Sequence, residues 1–595
     1  MEINYIGEEL IWGRIGNAFI VIAFAAALLS VVSFLSGVFS KNETDQSSWR
    51  KLARYTFYIH GLSVVGIISL IFFLIQQHRF EYYYVWQHSS MILPVKYMWA
   101  CFWEGQEGSF LLWTFWNIVL GTILIRTSKE WELPVMAVVM MVQVFLCSMV
   151  LGLEFGDVKI GSNPFILLRM QADFANLPFV QIPDYLSKIK DGRGLNPLLQ
   201  NYWMVIHPPT LFLGFASTLI PFAFAMGGLL KGDVKGWVKP ALPWTFFSVM
   251  ILGAGVLMGG AWAYEALSFG GFWAWDPVEN ASLVPWLTIV GAAHVMIIQK
   301  KNGRALLSCI LLVTATFLLV LYSTFLTRSG ILGDTSVHAF TDLGMSGQLV
   351  IYMVFFIVLA IFLIIGNYKK IKSPHEDEEL FSREFWMFIG MLVLVISAVQ
   401  ITFTTSLPVV NKIFSTKFAP PVEAISFYNS WQVPIASIIA FLMAIGLFLK
   451  FKKTDPKEFA KKMLLSFVVA IIITCITEYY LDFARWQYVI LLFCGVFAFC
   501  ANLNYMFVVL KGKSKLSGAT IAHMGISLIL LGALISNAEQ HVISRNMLKV
   551  DLGKDFPNNE NILLYKGDTL PMGDYYISYS GREKEGVNLF YSIDY

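Results

Sequence analysis

Charge is what this chain has least of. Only 14% of its 595 residues are Asp, Glu, Lys or Arg, while 57% are hydrophobic; a soluble chain carries about 25% charged residues. A mean hydropathy of +0.63 excludes an ordinary soluble domain. The net charge of +3 is too small and too dispersed for a nucleic-acid partner. Cysteine is scarce as well. The six cysteines (101, 147, 309, 475, 494 and 500) form neither C-x-x-C nor C-x-x-C-H. That argues against a zinc site or a disulfide framework, and the chain is not itself a c-type cytochrome. The first apolar run, residues 19–35, lacks a small-residue cleavage site, so it reads as a retained anchor and not as a signal peptide.

What remains is a polytopic, all-α membrane protein. A spanning helix needs about 20 mostly apolar residues, and the sequence offers about 14 such segments: 12–35, 54–75, 108–127, 133–152, 208–230, 240–262, 283–299, 305–325, 346–366, 384–403, 432–450, 463–479, 486–510 and 516–536. Basic residues gather in alternate loops, at Lys41–Arg54, Lys231–Lys239, Lys300–Arg304, Lys369–Lys372 and Lys450–Lys462. By the positive-inside rule the N-terminus and the opposite loops lie outside, on the extracytoplasmic face. The organisation expected is an N-terminal helical part (1–152), an outer loop (153–207), helices carrying a Trp-rich segment (208–345, with the segment at 262–287), C-terminal helices (346–536) and a small β-rich extracytoplasmic domain (537–595). The tail's strand-like runs at 575–579 and 589–593 carry the last expectation. The tail stops within such a run, which is expected of a chain cut before a final transmembrane helix.

The Trp-rich segment EALSFGGFWAWDPVENASLVPW (265–286) is the most informative stretch. Phe272, Trp273, Trp275 and Trp286 cluster with glycines between two spans, which reads as a ligand platform more than as a scattered interfacial belt. Asp276-Pro277-Val278-Glu279 matches a helix start, with Asp as N-cap, Pro at N1 and Glu three residues on. Capping is therefore one reading of both carboxylates, and orienting a ligand is the other. His207, before Pro208-Pro209, is expected to be extended at the outer end of a span. His338 lies in a short outer loop. Two histidines beside an aromatic platform can ligate an iron from opposite sides. His294 and His523 fall inside spans at similar depth, where histidines are costly and rare; as a pair they fit bis-histidine ligation of a buried haem b. Alone, either could be a hydrogen-bonded structural residue, as His60 is expected to be. Arg328 could pair a haem propionate or anchor a membrane edge. Trp103-Glu104-Gly105-Gln106-Glu107-Gly108 is a second wall of the site or a helix start, and Gly255, Gly259 and Gly260 read as close helix packing.

At this point a resemblance appears. The stretches WEGQEGSFLLW (103–113), GLNPLLQNYWMVIHPPTLFLG (194–214), WAYEALSFGGFWAWDPVENASLVPWL (262–287), TFLTRSGILGDTSVHAF (324–340) and IAHMGISLILLG (521–532) resemble the CcmF family of cytochrome c maturation proteins, within the haem-handling superfamily named for its WWD segment. Ser268-Phe269 depart from the family's usual Trp. The resemblance implies haem lyase activity: haem taken from a haem chaperone is joined to the C-x-x-C-H cysteines of apocytochrome c. It implies that His207 and His338 hold the transferred haem and that His294 and His523 hold a permanent haem b. It implies that Trp273, Trp275, Asp276 and Glu279 belong to the reacting site, with Arg328 on the cofactor. The implied partners are apocytochrome-presenting and thiol-reducing proteins and other haem lyase subunits, with membrane lipid around the chain and a quinol as a candidate electron source. The competing classes are a haem transporter or exporter, a respiratory electron carrier, and a single-component cytochrome c synthase. Against transport, the spans lack paired acids along a path, and no inverted repeat is evident.

Overall fold

The structure, a computed structural model, describes residues 4–595 apart from 157, 267–270, 334–335, 337–343, 372–378, 548–549, 554–555 and 586–587. His338, His375 and Ser268-Phe269 therefore lie outside the described residues. The helices are α1 (Leu10–Phe39), α2 (Glu43–Gln76), α3 (Tyr83–His88), α4 (Val95–Glu104), α5 (Gln106–Thr127), α6 (Glu132–Ser148), α7 (Ala172–Ala175), α8 (Trp203–Lys231) and α9 (Val238–Ala266). They continue with α10 (Pro277–Asn302), α11 (Leu306–Arg328), α12 (Ser346–Ile371), α13 (Arg383–Thr405), α14 (Leu407–Phe414), α15 (Ala424–Gly446), α16 (Pro456–Leu481), α17 (Trp486–Asn504) and α18 (Gly518–Ala538). Among the described residues 14 helices are long and apolar enough to cross a membrane, all but α3, α4, α7 and α14. The expected all-α polytopic architecture and its count of spans hold.

The punctuation is local chemistry. Asn42 caps α2 by accepting from the Thr44 N–H, and Asp455 caps α16 by accepting from Lys457 and Glu458 ahead of Pro456 at N1. Gly232 and Gly303 close α8 and α10 in the left-handed conformation, at φ 77° and 78°. One boundary departs from the expectation. α8 begins at Trp203, five residues before the span drawn from 208, and takes Pro208 and Pro209 into the helix.

The chain divides into two units, Met1–Gly532 and Ala533–Tyr595. In the first, α8 is the central helix, with 89% of its apolar window buried, whereas α18 is the least covered span at 17%. α8 and α9 approach closely because each sets a glycine against a leucine of the other. A Cβ on Gly214 would lie 2.7 Å from the Leu252 Cα, and one on Gly255 would lie 2.9 Å from the Leu211 Cα. The small-residue pattern read in the sequence is thus a packing seam. His60 is fully enclosed: its Nδ1 meets the Ala23 carbonyl at 3.0 Å and its Nε2 meets the Gln143 amide at 2.9 Å. It is the structural histidine expected. The second unit holds an antiparallel sheet in the order β3 (Thr569–Met572), β4 (Tyr575–Glu585), β5 (Asn588–Asp594), covering both strand-like runs of the tail. A separate hairpin pairs β1 (Leu153–Phe155) with β2 (Val158–Ile160).

Candidate functional site

The Trp-rich segment leaves α9 and enters α10 through a full capping box. The Asp276 carboxylate accepts the Val278 N–H at 2.8 Å, while Glu279 Oε2 accepts the N–H groups of Asp276 and Ala274 at 3.0 and 3.1 Å. Of the two readings of these carboxylates, the geometry displays the helix start. Asp276 carries a further bond, from the Ser336 hydroxyl at 2.9 Å. Asn280 closes the turn with its amide N–H on the Trp275 carbonyl at 3.0 Å and on the Thr405 hydroxyl at 3.2 Å.

The indoles differ from one another. Trp275 has φ 57°, unusual for a bulky residue, and is held there from outside the segment. Its N–H donates to Asn429 Oδ1 at 2.8 Å and its ring stacks on Tyr428, with centroids 5.1 Å apart and planes at 15°. The Trp286 N–H donates to the Val249 carbonyl at 3.0 Å, and its ring lies against Gly253. Phe272 lies against Gly260. Trp273 stands edge-on to Trp275 at 6.0 Å, and its N–H is buried without a hydrogen-bond partner. Buried indole N–H groups usually find one.

His207 sits within the first turns of α8 and not on an extended segment. Its ring lies against Gly259 of α9, where a Cβ would be 3.0 Å from Cε1, and edge-on to Trp262 at 5.6 Å. The Trp262 N–H is also buried without a partner. Arg328, the last residue of α11, is buried. Its guanidinium lies over the Phe110 ring at 5.5 Å, within reach of the charge of Glu107. That burial does not suit a membrane-edge anchor. Glu107 in turn accepts from the Ser162 hydroxyl at 2.5 Å. The Trp103–Gly108 segment is a break between α4 and α5. Gly105 is the N-cap of α5 without a side-chain bond, and Glu104 meets His88 at 3.0 Å.

The second pair of histidines lies deeper. His294 is 17 residues along α10 from Pro277, about 25 Å at 1.5 Å per residue. This is deeper than a span starting at 283 implies, because the cap at Asp276 starts the helix earlier. His294 Nδ1 meets the Val290 carbonyl at 2.8 Å, which leaves Nε2 as the outward atom. His523, five residues into α18, has its Nδ1 buried without a partner. Two contributors had no signal in the sequence, Tyr428 and Asn429, which act from an element distant in the chain. Trp262 and Ser336 lie within stretches that carry the resemblance, but no role attached to either.

Three comparisons bear on the arrangement. Residues 103–332 match the family described as cytochrome c assembly protein. The cytochrome c-type biogenesis protein CcmF of Pseudomonas fluorescens is 29% identical over 97% of this chain and 82% of its own length. CcmF of Escherichia coli is 28% identical over 88% of this chain and 77% of its own. A solved structure titled cytochrome c haem lyase CcmF shares the fold, with a TM-score of 0.70 at 20% identity, over 100% of this chain and 87% of that one.

Proposed function

We propose, from its similarity to the cytochrome c assembly protein family over residues 103–332 and to CcmF proteins over most of its length, that this chain is the haem-joining subunit of a cytochrome c haem lyase in a bacterial-type inner membrane. In this reading the N-terminus and the Trp-rich segment face the extracytoplasmic side. Haem arrives from a haem chaperone. An apocytochrome c reaches the same face with its C-x-x-C-H cysteines kept reduced by thiol-reducing partners, and other lyase subunits present it.

The observation that carries the reading is a pair of buried, unpartnered indole N–H groups, Trp262 beside His207 and Trp273 in the Trp-rich segment. Orphaned buried donors are costly, and a ligand with carboxylate arms relieves them. Haem propionates supply such acceptors, with Arg328 as the charged partner. His207 and His338 would ligate the iron of the haem being transferred until the substrate histidine displaces one of them. Trp275, Asp276 and Glu279 then serve as the frame of the platform, and Trp273 as its ligand-facing member. The chemistry asked of these groups is positioning. Each thiol adds across a vinyl double bond: sulfur bonds to one vinyl carbon and the proton ends on its neighbour, so no electrons leave. Reductant is needed only to keep the thiols and the iron reduced.

His294 and His523 fit a resident haem b. One ring is oriented by a backbone carbonyl and the other has an unpartnered buried nitrogen, a donor set suited to axial ligation. A haem there would supply a one-electron relay, with a quinol as the source of electrons. The test is reduced-minus-oxidised and pyridine haemochrome spectra of protein purified in mild detergent, alongside the yield of holocytochrome c in cells. A b-type spectrum lost in His294→Ala and in His523→Ala, with loss of holocytochrome c in His207→Ala, is the expected result. Protein without haem from cells competent to make it would overturn the resident-haem reading and favour transport.

A further inference from the structure

The sequence places Pro208 so that His207 should precede a helix, yet the helix starts at Trp203 and carries His207 within it. Something must offset the proline. In an α-helix the N–H of residue 208 would bond to the carbonyl of residue 204, and proline has no N–H to give. Met204 is buried, so water does not satisfy that carbonyl. The donor comes from another helix: the indole N–H of Trp103, at the end of α4, donates to the Met204 carbonyl at 2.8 Å. The same turn is held on its other side from α9, where Glu265 Oε2 accepts from the Trp203 indole at 2.8 Å and from the Tyr202 hydroxyl at 3.4 Å.

We propose that Trp103 is a positioning residue for His207: its side-chain N–H stands in for the backbone N–H that Pro208 lacks, and so keeps the turn bearing His207 helical. Two motifs just over a hundred residues apart are then one device. Without the indole donor, the favourable state of the turn reverts to the extended one that an X-Pro sequence prefers, and His207 leaves its place against Gly259 and Trp262. The structural half of this inference stands on the bonds alone. The functional half rests on the reading of His207 as a haem ligand.

The experiment is hydrogen exchange by mass spectrometry over peptides spanning residues 203–212, in detergent-purified full-length protein. The chains compared are the wild type, Trp103→Phe, Pro208→Ala and Trp103→Phe/Pro208→Ala. Trp103→Phe removes the donor, and exchange in this turn is expected to rise about tenfold, the equivalent of one lost hydrogen bond. The double variant restores a backbone N–H at 208 and is expected to return exchange to the wild-type rate. A role of Trp103 in packing alone predicts no rescue. Unchanged exchange in Trp103→Phe, or a double variant no better than the single one, overturns the proposal. If Trp103→Phe does not accumulate, accumulation of the double variant supports the proposal and its absence overturns it. His207→Ala separates the two halves: if it leaves haem binding at the Trp-rich segment intact, the ligand assignment fails while the exchange result still decides the role of Trp103.

Discussion

One carboxylate oxygen of Asp276 accepts two hydrogen bonds, from the Val278 N–H at 2.8 Å and from the Ser336 hydroxyl at 2.9 Å. The group that starts α10 thereby also fastens the segment after α11, two residues before His338 in the chain. Asp276→Ala removes both bonds and is expected to destabilise the protein by about 1 kcal/mol through the lost cap. Asp276→Asn keeps an acceptor for both and is expected to be mild. Ser336→Ala spares the cap and releases the segment. Thermal unfolding should then barely change while the yield of holocytochrome c falls. Wild-type yield from Ser336→Ala would mean that this fastening plays no part in activity.

Trp273 and Trp275 are expected to separate stability from function. Trp275→Phe gives up the bond to Asn429 and should cost about 1 kcal/mol. Trp275→Ala also loses the stack on Tyr428 and should cost about 3 kcal/mol. Trp273→Phe deletes an N–H that has no partner, so the melting temperature should hold or rise slightly while haem binding weakens. The measurement is a melting curve paired with haem titration. Equal destabilisation by the two Phe variants would contradict the division drawn here.

His60→Ala and His294→Ala should also differ in kind. The first breaks a network of fully satisfied buried bonds and is expected to lower stability by about 1–3 kcal/mol with the b-type spectrum intact. The second should abolish that spectrum at little cost in folding. Visible spectroscopy on matched amounts of folded protein distinguishes them.

Acid is expected to act on the N-terminal clasp in two stages. Arg79, hydrogen-bonded to Glu9, holds that carboxyl below the ordinary value of 4.5, with the Trp12 N–H contributing. The stabilisation is present above 4.5 and is lost as pH falls through the lowered value. Glu81 shifts the other way, raised chiefly by burial. Its contribution is full below the ordinary value and is lost as pH rises through the raised one. Acidification from neutrality should therefore protonate Glu81 first and leave the clasp closed or tighter, and opening should begin only below 4.5. Limited proteolysis of the N-terminal segment across this range reads the result; opening above the ordinary carboxyl value would contradict it.

The spans were legible because bilayer thickness imposes long apolar runs, and the start of α10 because Asp-Pro-x-Glu carries its own cap. His294 and His523 were legible as histidines inside spans because both fall within long apolar runs. The conformation of His207 could not be read. The X-Pro preference is local, and what overrides it is an indole from α4. Nor could the sequence divide the tryptophans into struts and ligand-facing members. Trp275 is a strut only because Tyr428 and Asn429, some 150 residues later, fold against it.

α18 is the least enclosed of the spans among the described residues, and it carries the second of the two buried histidines. More than two hundred residues of chain separate His294 from His523. At about 5–20 residues per second the ribosome needs roughly 10–45 s to cover that interval. On the proposed reading, His294 waits through this time for its partner ligand. On the proposed reading of this pair as haem ligands, loading waits until α18 has been made, and a chain terminated before α18 keeps one ligand of the two.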